Sequence, residues 1–150
     1  EGKADILGLY MVEELRRKGE IGEGELMDNY VTFMASVFRS VRFGASSAHG
    51  RANMVRFNFF MRAGAFMRDA ATGTYRVDAR KMHQAINDLS ALILQLQGDG
   101  DLEGVQELMR EQGALGKELQ ADLDRLKQAD IPVDLVFEQG LGALGLGAAH

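Results

Sequence analysis

Residues 24–43, GELMDNYVTFMASVFRSVRF, decide the fold class, because their apolar side chains recur at steps of three and four. Met27, Tyr30, Val31, Met34, Val37, Phe38 and Val41 fall on one side of a helix, the pattern of a core-facing stripe, and Gly44 closes the segment. The same period runs outward on both sides. Upstream, a helix over about 2–18 is apolar on several sides at Ile6, Leu7, Leu9, Tyr10, Met11, Val12 and Leu15, which predicts a central helix ended at Gly19 by a left-handed cap. Downstream, Ser46 or Ser47 caps a third helix carrying Ala48, Ala52, Val55 and Phe59 to about Phe66.

The 67–77 segment, MRDAATGTYRV, holds a Thr-Gly turn between short runs and predicts a small hairpin. Asp78 then caps a fourth helix with Met82, Ile86, Leu89, Ile93 and Leu96 on one face. Two shorter helices follow, lined by Leu102, Val105 and Met109 and by Leu115, Leu119, Leu123 and Leu126. Pro132 biases Ile131 away from helix, so IPVDLVF over 131–137 reads as extended, and residues 138–150 read as a flexible Gly/Ala/Leu tail. The expectation is a mostly α protein: an irregular multi-helix bundle over 1–137, with one small β-hairpin and an extended C-terminal segment.

Composition narrows the function. The chain has 150 residues, 46% apolar and 26% charged, with a net charge of −5. It carries no basic block with interleaved aromatics, which argues against nucleic acid as a partner. No apolar run approaches the ~20 residues that span a bilayer, so no membrane association is expected. Cysteine is absent, which removes disulfides and thiolate chemistry. Cytoplasm is the expected compartment.

Residues 1–12, EGKADILGLYMV, place Glu1 and Asp5 four apart at a helix start. That spacing suits a carboxylate metal ligand beside a second carboxylate that orients another ligand. It equally suits acidic residues complementing the helix dipole, and spacing alone leaves both readings open. Of the three histidines, His83 lies beside the Met82–Ile86–Leu89 stripe and reads as a partly exposed helix residue, and His150 is in the tail. His49, in the first turn of the third helix, reads on its own as a surface or interhelical residue more readily than as a catalytic one. No His-x-x-x-His pair exists, so this chain alone cannot complete a catalytic zinc shell of three protein ligands.

Two other motifs fail on physical grounds. Gly140, Gly142 and Gly145 spell a dinucleotide-binding glycine pattern but leave five residues for the helix that must follow. Asp99, Asp101 and Glu103 imitate a calcium loop whose twelfth position is Arg110, a cation where a bidentate carboxylate is required.

Read together and in order, EGKADILGLYMV, VRFG, SSAHGRANMVRFNFF and LQGDGDLEGVQELM resemble the M49 peptidases, the dipeptidyl-peptidase III family and its bacterial type, over about residues 1–112. These are zinc metallopeptidases with a first motif His-Glu-x-x-x-His and a second motif Glu-Glu-x-x-Ala-(Glu/Asp). Glu1, Ala4 and Asp5 fit the second motif, and the first is absent from this chain. The resemblance implies that Glu1 ligates zinc, that Asp5 supports a zinc-bound histidine, and that His49 of the Ala48-His49 pair faces the active site and stabilises the transition state. The remaining ligands and the general base are then expected in the upstream part of the same protein. The implied substrate is a peptide, and the isolated fragment is expected to be inactive and to bind no zinc of its own. Gly50-Arg51-Ala52-Asn53 departs from the Met-Gln-Ala-Arg expected in the animal enzymes, which leaves substrate preference open. The alternatives are a non-catalytic helical interaction module or a degenerate member of the family.

Overall fold

A computed structural model describes residues 2–42 and 44–129, together with residues 137, 139, 140, 143 and 144. Glu1, and most of the expected extended segment and tail, lie outside the described residues. The element order is α1 (Gly2–Arg17), α2 (Leu26–Val41), α3 (Ala48–Arg62), β1 (Phe66–Arg68), β2 (Tyr75–Val77), α4 (Ala79–Gly98), α5 (Leu102–Gln112) and α6 (Lys117–Gln128). This is the mostly helical bundle with one hairpin that the periodicity predicts.

Local chemistry sets the ends. Gly19 is left-handed at φ 77°, and its N–H and that of Glu20 return to Arg16 and Leu15, closing α1 in a Schellman turn. Ser47 caps α3 by accepting from Gly50 N–H at 3.0 Å, Asp78 caps α4 through Lys81 N–H at 3.0 Å, and Asp101 caps α5 through Gly104 N–H at 2.8 Å. Asp101 is therefore the cap of an interhelical turn. The hairpin pairs Phe66 with Val77 and Arg68 with Tyr75 in antiparallel register, and Asp69 closes its turn by accepting from the N–H groups of Ala71 and Thr72.

The centre of the bundle is α3, where sequence periodicity points to α1. Residues 53–57 of α3 are buried in an unbroken run, and the helix meets α1, α2, α4, α5 and β1. Its apolar residues are distributed around the axis rather than along one stripe, so Met54, Phe57 and Phe60 form the seam, while Ala48 is exposed and Phe59 only partly buried. Helix α1 buries a single line, Ile6, Leu9 and Glu13, and Met11 faces outward. Helix α2 buries Tyr30, Met34, Val37 and Val41, which leaves Met27 and Val31 on the flank. The third helix stops at Arg62, short of Phe66, because Gly64 turns left-handed at φ 69° and Phe66 enters β1. Aromatic rings join these elements edge to face: Phe60 to Phe66 at 5.1 Å, Phe38 to Tyr75 at 4.8 Å and Phe38 to Phe57 at 5.7 Å.

A buried carboxylate ties the hairpin to α6. Asp122 accepts a two-pronged bond from Arg68, Nε to Oδ2 at 2.7 Å and Nη2 to Oδ1 at 3.0 Å, and a bond from the Tyr75 hydroxyl at 2.7 Å. The Arg68 hydrogen bonds hold the Asp122 carboxyl below the usual range against the opposing effect of burial, and Tyr75 adds to the shift. Burial, with Asp122 as acceptor, pushes the Tyr75 hydroxyl up.

Two outcomes are expected. A Cβ at position 50 would stand 2.7 Å from both the Gly44 carbonyl oxygen and Ala45 Cα, so Gly50→Ala should destabilise the fold by roughly 1–3 kcal/mol in chemical denaturation. Because the Asp122 pKa is lower folded than unfolded, its stabilisation is complete above the unfolded value of ~3.9 and is lost as pH falls through the folded one. Melting temperature should therefore drop steeply on acidification, with Asp122→Asn lowering it at neutral pH and flattening that acid limb.

Candidate active site

The start of α1 lies along α3. A Cβ at Gly2 would stand 3.4 Å from that of Ala52, and one turn further along both helices Asp5 meets Arg56. His49, Ala52, Asn53 and Arg56 occupy positions i, i+3, i+4 and i+7, so one face of α3 presents all four. His49 is on the exposed first turn of α3, held by the Ser47 cap and by the close approach of the 44–45 loop to Gly50.

Arg56 is the buried member of this face. Its side chain is 5% exposed, against 47% for Asp5. Its Nη1 donates to Asp5 Oδ2 and its Nη2 to Asn53 Oδ1, while the guanidinium lies 5.7 Å from the centre of the Phe33 ring. Asn53 in turn donates to the His49 carbonyl at 3.0 Å and to Ser40 Oγ at 2.6 Å. A continuous chain of hydrogen bonds thus runs from the backbone of His49 through Asn53 and Arg56 to the carboxylate of Asp5. Two of the three residues singled out from the sequence stand at its ends, and the third, Glu1, lies outside the described residues. In the sequence Arg56 carries no assigned role, and Asn53 is marked only as part of the Gly50–Asn53 departure. The available signal was an arginine and an asparagine at positions flanked by Met54, Val55 and Phe57, where a polar side chain must find a partner.

Two concavities flank this network. Asp5, Leu9, Asn29, Thr32 and Phe33 line a cleft of about 380 Å³ between α1 and α2. On the other side Gly2, Ala52, Arg56, Ile93, Val105 and Met109 line a mostly apolar groove of about 490 Å³. Leu102 at its rim is 68% exposed and Val105 is also exposed, where periodicity had assigned both to the core side of α5.

A second polar cluster joins α1, α2 and α4. The Glu13 side chain, 5% exposed, accepts from the Tyr30 hydroxyl and lies 2.8 Å from His83 Nδ1. Burial first, and the bond to Glu13 second, push the Tyr30 hydroxyl up. His83, 58% exposed, is on the protein surface as expected, yet it covers a buried carboxylate.

Zinc chemistry can be tested against these donors. Among the described residues no group of three or more His, Cys, Asp or Glu could hold a metal ion. Of the residues singled out from the sequence that the structure describes, Asp5 offers hard carboxylate oxygens of the kind zinc accepts, but a catalytic site takes three protein ligands. Asp5 could serve such a metal only beside ligands from outside the described residues.

The fold matches parts of two dipeptidyl-peptidase III structures. That from Caldithrix abyssi superposes with a TM-score of 0.83 and 30% identity, covering 97% of this chain and 27% of the other. That from Corallococcus sp. strain EGB gives 0.80 and 35%, covering 97% of this chain and 26% of the other. Nudix hydrolase 3 of Arabidopsis thaliana is 36% identical over 135 residues, 90% of this chain and 17% of the plant protein. No model of a known protein family matches the sequence. The chain therefore spans about a sixth of its curated relative and about a quarter of the solved ones. Both solved relatives are peptidases by name.

Because His83 is one of two groups bonded to the buried Glu13, His83→Ala should cost about 1 kcal/mol, a value discounted for the exposure of the imidazole. A shift in the urea midpoint at unchanged slope would register it.

Proposed function

We propose that this chain is part of the catalytic region of a zinc-dependent peptidase of the dipeptidyl-peptidase III type. The similarity to two such enzymes across 97% of the chain carries the proposal, at identities of 30% and 35%. The hydrogen-bonded connection between Asp5 and the His49 turn supports it, since it links two of the residues that the resemblance places in the active site, Asp5 and His49, across one helix pair. The plant relative's name points to another class of hydrolase. The matched segment is 17% of that protein, so most of the plant chain lies outside the match and can carry the chemistry of its name.

In this reading Glu1 ligates the metal. Asp5 accepts a hydrogen bond from the far nitrogen of a ligand histidine supplied by the upstream part of the protein, which fixes its tautomer. When bound, zinc supplies Lewis acidity at the scissile carbonyl and a nucleophile at neutral pH. His49, exposed on the first turn of α3, donates to the developing oxyanion of a peptide substrate.

Joined to its upstream sequence, the protein should bind zinc stoichiometrically and release dipeptides from peptide N-termini, whereas residues 1–150 alone should do neither. Hydrolysis of nucleoside diphosphate compounds without dipeptide release would overturn the assignment. His49→Ala in the full-length enzyme should lower turnover by ~10²–10³ with zinc content and melting temperature unchanged. Near-normal turnover would remove His49 from the reaction.

A further inference from the structure

The guanidinium of Arg56 lies beneath the start of α1, and burying it costs several kcal/mol unless the charge is paired and its donors are satisfied. Its carboxylate partner is Asp5, on a different helix and 51 residues away, although Asp5 itself remains about half exposed and lines the open cleft between α1 and α2. Arg68 differs, being paired with a carboxylate that is buried with it, Asp122. At Arg56 the cation is hidden and the anion is presented.

We propose that Arg56 is a positioning residue for the metal site. It holds Asp5 Oδ2 from below, so that the rest of the carboxylate is turned toward the cleft in one rotamer. Asn53 holds Arg56 Nη2 and the His49 carbonyl together, which ties that rotamer to the turn bearing His49. The Phe33 ring packs beside the guanidinium on its α2 side. The inference rests on the reading of Asp5 as the carboxylate that orients a ligand histidine, and it adds a residue to which that reading gives no role.

The test uses the full-length protein and follows zinc retention at 25 °C against a competing chelator, alongside turnover and the melting temperature of the metal-free form. Arg56→Lys keeps a buried cation but loses the two-pronged fork, and Arg56→Met removes the charge. Asp5→Asn and the double variant Asp5→Asn/Arg56→Met complete a cycle. Where Arg56→Met does not accumulate folded, Arg56→Lys replaces it in the cycle. Zinc affinity should fall about tenfold in each Arg56 variant, with a matching loss of kcat and little change in KM. The double variant should be no weaker than Asp5→Asn alone, because both substitutions remove the same support. Arg56 variants that melt earlier yet retain zinc as the parent does would make Arg56 merely structural and overturn the proposal, as would losses that simply multiply in the double variant. If Asp5→Asn leaves zinc retention unchanged, the reading of Asp5 fails and the role of Arg56 falls with it. If Asp5→Asn weakens retention while the Arg56 variants do not, only the present inference fails.

Discussion

A guanidinium in the middle of a helical bundle constrains everything that touches it. Arg56 is on α3, the helix that α1, α2, α4, α5 and β1 all meet, and its charge must be neutralised without water. The start of α1 has to lie where Asp5 can reach it, α2 has to bring Phe33 and Ser40 alongside, and the first turn of α3 has to leave its His49 carbonyl to Asn53 rather than to solvent. Packing of Met54, Phe57 and Phe60 on the rest of α3 supplies the apolar stabilisation that makes this polar arrangement affordable. The network and the core are thus two faces of one helix, and neither can shift without the other.

Much of this architecture was legible because it is local. Helix ends follow from caps whose chemistry is read within three residues, as at Ser47, Asp78 and Gly19, and the hairpin follows from its turn. What escaped was long-range. Glu13 reads as an ordinary helix carboxylate until Tyr30 and His83, 17 and 70 residues away, close over it. Arg56 and Asn53 interrupt the apolar pattern of α3 and so hid the most buried of the described helices. Leu102 and Val105 keep the period of a core face while facing an open groove, because periodicity records which side is apolar and not what covers it. The candidate site was legible in part for a different reason: Asp5 and His49 belong to motifs that resemblance to a family picks out, whereas the partner holding Asp5 is visible only in three dimensions.

The two polar clusters outside that site differ in what they do for the fold. Arg68, Tyr75 and Asp122 link a hairpin to α6 through bonds that stay satisfied when buried, and they act as a clasp on the periphery. Glu13, Tyr30 and His83 connect three helices near the surface, with the histidine half in water. Neither shares a residue with the Asp5–Arg56–Asn53 line, so substitutions in them should alter stability independently of that line.

The close approach at Gly50 has an evolutionary consequence. Residue 50 follows the candidate catalytic histidine directly, and the 44–45 loop occupies the space that any larger side chain would need. A relative with a bulky residue there, such as the methionine expected in the animal enzymes, cannot keep the same loop path. Residue 50 and the α2–α3 loop must therefore diverge together: glycine with a loop folded over the histidine turn, or a large side chain with a loop displaced from it. Lineages on either side of that exchange would present the same histidine beside differently shaped loops, so a single codon becomes a marker for the path of the α2–α3 loop.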